Sequence, residues 1–123
     1  MTNDKPKKTA KRDLPREVRK VAAACQAKLA EDIQVLDLRG LAAFTDYFII
    51  LNGHSARQNL ALAEHIEREL RKDGLRPLGV EGRVSADWIL MDYGQFIVHI
   101  LSREKRDFYA LEKLWGDAPR AVY

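Results

Sequence analysis

Three histidines, one cysteine and a scatter of carboxylates are the groups in this sequence that could do chemistry. His54, His65 and His99 stand 11 and 34 residues apart. None of these spacings is that of a metal-binding pair such as H-x-x-x-H, so no metal site is expected. Cys25 is the single cysteine, which excludes an intrachain disulfide and any multi-cysteine zinc or iron–sulfur centre. It also falls on the apolar stripe of a helix, where a thiol packs as a small hydrophobe. No Ser/His/Asp set is recognisable from spacing, and Ser55 has the simpler role of a helix cap. GxxxxGK[ST] and GxGxxG are both absent, so no nucleotide cofactor is implied.

Gly53, His54 and Ser55 precede a helix, where backbone amides can receive an anion. A glycine–serine turn in that place resembles the one in nucleotidyltransferases. Those enzymes need two carboxylates one residue apart on a strand, so that both point to one face and hold magnesium. Asp87 and Asp92 are five positions apart, which puts them on opposite faces, and Asp46 has no Asp or Glu two residues away. The pair is missing, and an enzyme is not expected.

The elements that must position these residues follow from periodicity. The 123 residues fit one domain. Residues 1–16 hold six Lys/Arg against two Asp, and residues 17–123 hold fifteen Lys/Arg against sixteen Asp/Glu. The basic pI therefore belongs to the start of the chain, and the body is near neutral, unlike a globular nucleic-acid binder. Residues 1–14 have no apolar periodicity and read as a basic disordered tail. Such a tail serves as a solubilising segment or as a tether near phosphate. Residues 119–123 read as a short C-terminal tail around a domain at 15–118. No apolar run approaches a membrane span, and the lysine-rich start lacks the apolar stretch of a secretory signal. A cytoplasmic location is expected.

Pro15 opens a helix with Val18, Val21, Ala22, Cys25 and Leu29 on its apolar stripe. Residues 33–38 and 47–51 read as strands, the second buried on both faces. Ser55 and Gln58 form a capping box. The helix they start turns Leu60, Ala63, Ile66 and Leu70 inward, and Gly74 ends it. Residues 75–80 are a short strand candidate. Residues 104–115 read as one helix with Phe108, Leu111 and Trp115 on a shared face. The order predicts an α/β domain with a mixed sheet.

Residues 88–92 and 96–101 form a hairpin. With a two-residue turn at Tyr93 and Gly94, Asp92 pairs with Gln95, Leu90 with Ile97 and Trp88 with His99. Alternation then puts Trp88, Leu90, Asp92, Ile97 and His99 on one face. Ile89, Met91, Phe96, Val98 and Ile100 take the other and are core. The first set mixes an aromatic with polar residues, as a protein interface does. A helix of the same chain could equally cover it, and patterning alone leaves both open.

The segments LRPLGVEG (75–82), SADWI (85–89), DYG (92–94) and IVHI (97–100) closely resemble those of the ribosomal silencing factor family, also called Iojap-like. So do TDYFII (45–50), GHSAR (53–57) and YALEKLW (109–115). The resemblance covers residues 17–118. It implies a mixed, roughly five-stranded sheet flanked by helices, related to the nucleotidyltransferase fold without its catalytic carboxylates. It implies binding to the fourteenth protein of the large ribosomal subunit, at the face that meets the small subunit. Subunit joining would then be blocked and translation repressed, and a role in large-subunit assembly and a homodimer of the free protein are also implied. By the same resemblance Trp88 is the interface tryptophan. Leu90, Asp92 and Tyr93 lie in its segment, and His99, Arg106 and Tyr109 match family positions. The basic tail lies outside the resemblance and could touch neighbouring ribosomal RNA.

Overall fold

Two uncharged apolar runs form the centre of the molecule. The computed structural model describes residues 7–123. Tyr47–Asn52 (β2) and Phe96–Leu101 (β5) are buried along their whole length. They lie side by side as a parallel pair, from Tyr47 opposite Phe96 to Asn52 opposite Leu101. Strands covered on both faces need such runs. Glu31–Asp37 (β1), Gly79–Glu81 (β3), Trp88–Asp92 (β4) and Arg120–Val122 (β6) pair antiparallel around them. The result is a six-stranded mixed sheet in the order β3-β4-β5-β2-β1-β6.

The expected sheet had about five strands, and the sixth arises from residues 119–123, which were expected to be a tail. Three residues are too short to show a period, but Ala121 is 3% exposed and packs into the core. The other end of the chain differs in the same place. Thr9 donates its amide to the Arg120 carbonyl at 2.9 Å, and the Arg120 amide donates to the Lys7 carbonyl at 2.8 Å. Leu14 is buried in the main core. Of the expected disordered tail, Lys7–Thr9 therefore pair with β6 and Lys11–Asp13 form a single turn of 3-10 helix, and residues 1–6 lie outside the described residues.

One face of the sheet carries Arg16–Ala27 (α1) and Ala56–Arg71 (α2). Val18, Val21, Ala22 and Cys25 are buried as the stripe predicts. Leu29 is not, at 76% exposed. The helix ends at Ala27 and Leu29 takes φ 61, which turns it off the stripe. Ser55 Oγ accepts from the Gln58 amide at 3.1 Å, while the Gln58 side-chain oxygen accepts from the His54 amide. Gly74, at φ 79, closes the helix with Leu75 donating to the Leu70 carbonyl.

The other face is covered by Arg103–Tyr109 (α3) and Leu111–Leu114 (α4) together with Ala42 and Ala118. One helix was expected here. Ala110 instead takes the left-handed conformation, φ 46, and breaks it. Leu111 and Trp115 still pack on the sheet. Phe108 precedes the break and is 78% exposed, because the shared face assumed an unbroken period. Among the described residues no helix is long and apolar enough to cross a membrane.

Candidate functional site

The β4–β5 hairpin sets the site. Leu90 pairs with His99 and Trp88 with Leu101, so the register lies two residues from the expected one. The turn is at Gly94 and Gln95, with Tyr93 donating its amide to the Phe96 carbonyl at 3.0 Å. Gly94 sits at φ 85, and its amide donates to Asp92 Oδ1 at 2.8 Å. A two-residue shift keeps side-chain parity. The two faces therefore hold the expected sets: Ile89, Met91, Phe96, Val98 and Ile100 join the core under α1 and α2, while Trp88, Leu90, Ile97 and Leu101 join the second cluster.

The second face carries a continuous aromatic band. Phe108 meets Tyr109 with ring centroids 5.0 Å apart, and Tyr109 meets Trp88 at 4.7 Å. Trp88 meets His99 at 6.0 Å, His99 meets Phe48 at 4.4 Å, and Phe48 meets Trp115 at 6.2 Å. Trp115 meets Phe44 at 6.2 Å. The middle of the band is sealed, with His99 and Phe48 buried. Its two ends reach solvent: Phe108 and Tyr109 at one, Phe44 at the other. Trp88 is half-buried, and Leu90 beside it is partly open.

Trp88 is held from several sides. Its Nε1 donates to His99 Nδ1 at 3.1 Å. That bond makes Nδ1 the acceptor, so the proton of the neutral ring belongs on Nε2. Burial pushes the His99 pKa down to about 4, so the ring is neutral near pH 7. The loop before β4 is fixed as well. Gly82 sits at φ 88, and a Cβ there would stand 2.0 Å from the Trp88 carbonyl oxygen. Asn59, buried on α2, donates to the Ala86 carbonyl at 2.7 Å.

The expected site residues do not all meet. Trp88, Leu90, His99 and Tyr109 share the band face. Asp92 is on the same face but serves the turn. Tyr93 falls on the opposite side, where it packs against the main core and stacks on Phe96 at 5.0 Å. Arg106 is 5% exposed: its Nε lies 2.5 Å from Glu112 Oε1, and Nη1 donates to Asn52 Oδ1. It pins α3 to α4 and to the sheet. Phe108 belongs with the exposed end of the band, and helical periodicity hid it by placing it inward.

The groups weighed for chemistry are dispersed. Burial pushes the Cys25 thiol up to about 12. Asp87 accepts from Ser85 Oγ at 2.9 Å and faces Lys105 at 3.7 Å. Ser55 Oγ is used by the helix cap. The Gly53–Ser55 turn borders a cleft of about 230 Å³ lined by Glu31 and Asp87 and also by Arg103, whose guanidinium is engaged by Asp32. No group of three or more His, Cys, Asp or Glu among the described residues could hold a metal ion.

Comparison with known proteins bears on this surface. A family model described as "ribosomal silencing factor during starvation" matches residues 11–122. The ribosomal silencing factor RsfS of Bacillus subtilis is 44% identical over 100 residues, covering 81% of this chain and 85% of that protein. A mouse protein named "mitochondrial assembly of ribosomal large subunit protein 1" is 33% identical over 89 residues, covering 70% of this chain and 39% of that one. A crystal structure of a Chromobacterium violaceum protein superposes with a TM-score of 0.79 at 33% identity, covering 81% of this chain and 83% of the other.

Proposed function

The chain belongs to the ribosomal silencing factor family, and from that membership we propose that it binds the large ribosomal subunit through the subunit's fourteenth protein. Bound at the face that meets the small subunit, it blocks subunit joining by occlusion and represses translation, and it also aids large-subunit assembly. The observation that carries this reading is the half-buried Trp88, fixed by His99 and open beside Leu90, Tyr109 and Phe108. A large aromatic held in one rotamer loses little entropy on docking, which is how interface anchors reach high affinity. Trp88, Leu90 and Tyr109 make direct contact. His99 and Arg106 support them from beneath. Asp92 and Tyr93 fix the hairpin turn that presents the strand.

The protein acts in the cytoplasm by occupying surface, with no catalysis, metal or cofactor. Asp87 and Asp92 are each engaged locally rather than paired. A standard interface of roughly 800 Å² per partner suffices for such competition. On the same reading the free protein forms a homodimer, and the basic N-terminal segment touches ribosomal RNA beside the protein target.

Sedimentation with purified large subunits, small subunits and whole ribosomes tests this. The protein should travel with the large subunit alone and should lower the yield of whole ribosomes when subunits are mixed. Retention on small subunits, or undiminished joining at saturating protein, would overturn the reading.

A further inference from the structure

We infer that the β6 edge is a fixed row of cations that takes an RNA phosphate backbone, so that docking has two points of attachment. The inference rests on the large-subunit reading above and deepens the RNA contact proposed there, by naming the residues and the ordered edge that make it.

The positive charge of the chain is concentrated before residue 17, while the remainder is near neutral. Much of that charge lies within the described residues. Lys7, Lys8, Lys11 and Arg12 are exposed and lie in the segment that runs beside β6. Lys8 forms a parallel bridge with Arg120. Lys11 Nζ lies 4.4 Å from the centroid of the Tyr123 ring, which holds the stretch against the end of the sheet. Opposing them in the described part of the segment is Asp13, 4.0 Å from Arg12. Arg120 anchors the edge from inside, donating to the carbonyls of Glu112 and Trp115.

Cations set along an ordered edge face a polyanion with little ordering left to lose, and neutralised phosphates release counterions. RNA backbone is the fitting occupant on charge, and it also borders ribosomal proteins. The row lies beyond β6, whereas Trp88 is on β4, the second strand from the other edge. Five strand spacings of about 4.8 Å separate them, or about 24 Å. The band face would seat on protein while the far edge seats on RNA, and two such contacts fix the orientation as one alone does not.

The test uses the full chain with Lys7, Lys8, Lys11 and Arg12 changed together to Gln. A control chain carries Lys28→Gln, Arg57→Gln, Arg68→Gln and Arg76→Gln, four exposed cations elsewhere. Melting temperature checks that each folds. Affinity for large subunits, and for a bare ribosomal RNA duplex at low salt, is measured across a salt series. The first variant should lose at least tenfold affinity at low salt on both targets, with a log–log salt slope shallower by about 3. The control should stay near wild type. Equal losses in both variants would mean diffuse charge steering and overturn the row. An unchanged slope in the first variant would overturn it as well. Binding of the wild type to anionic vesicles but not to the duplex would mark a lipid partner and overturn the RNA assignment. If the wild type fails to bind large subunits, the large-subunit reading falls, and the duplex series still decides whether the row takes RNA.

Discussion

At the scale of single residues, Trp88 and Met91 are three positions apart on β4, face opposite sides of the sheet and should fail differently. Met91 is fully buried, so Met91→Ala should lower stability by ~2–5 kcal/mol through a cavity. The fraction still folded should bind large subunits normally. Trp88→Ala removes a half-buried ring and strands the His99 Nδ1 acceptor. It should lower stability by about 2 kcal/mol and weaken large-subunit affinity by roughly thirtyfold or more. Phe108→Ala gives the cleaner contrast: at 78% exposed it should leave the melting temperature almost unchanged while reducing affinity. Normal binding by Phe108→Ala and Trp88→Ala alike would place the interface elsewhere. His99 supplies a pH dependence. Its folded pKa, about 4, lies below that of the unfolded chain, so the unfolded state gains the proton first. Stability from the neutral ring is fully present above about pH 6.5 and is lost as pH falls toward 4, by up to about 3 kcal/mol. Melting curves between pH 4 and 7 should show this slope in wild type, and His99→Gln should flatten it.

At the scale of elements, strands and long helices were legible in the sequence because each has a period with enough residues to repeat. The apolar runs of β2 and β5, the Ser55–Gln58 cap and the two faces of the hairpin all follow from patterning. The hairpin register did not, because a shift of two leaves every side chain on its own face. The break between α3 and α4 was also hidden: alanine is a good helix former, and nothing local announces its left-handed turn. The Arg106–Glu112 pair spans the break and ties the two helices together across Ala110. Two substitutions probe these joints. Ala110→Gly should stabilise by about 0.5–1 kcal/mol, since glycine adopts φ 46 without a Cβ penalty. Arg106→Ala should destabilise by about 3–5 kcal/mol, because it leaves Glu112 and Asn52 without their partner. Denaturant midpoints measure both. If Arg106→Ala instead leaves stability unchanged and abolishes binding, the side chain acts at the interface rather than beneath it.

At the scale of the whole molecule, the sheet has two edges and treats them differently. The β3 edge is three residues long and ends at Gly82. The β6 edge is flanked by Lys7–Thr9, and Leu14 is buried nearby in the core. Deleting residues 1–14 should therefore do more than shed charge. Losing the Leu14 side chain alone forgoes roughly 1.5–3 kcal/mol of burial, and the uncovered edge becomes a template for pairing. A lower melting temperature and concentration-dependent light scattering should follow, whereas Lys7→Gln and Lys8→Gln should produce neither. An unaltered melting temperature for the deletion would show that the segment adds nothing to the fold.

That pairing also sets an order of events during synthesis. Lys7–Thr9 are made before every named strand of the domain, and β6, their partner, is the last of those strands to leave the ribosome. Strand β1 waits for the same element, since β6 covers its outer side. The final closure is thus postponed until translation of the domain has finished. Until then the lysine-bearing stretch is unsatisfied along its backbone, next to the particle that is making it.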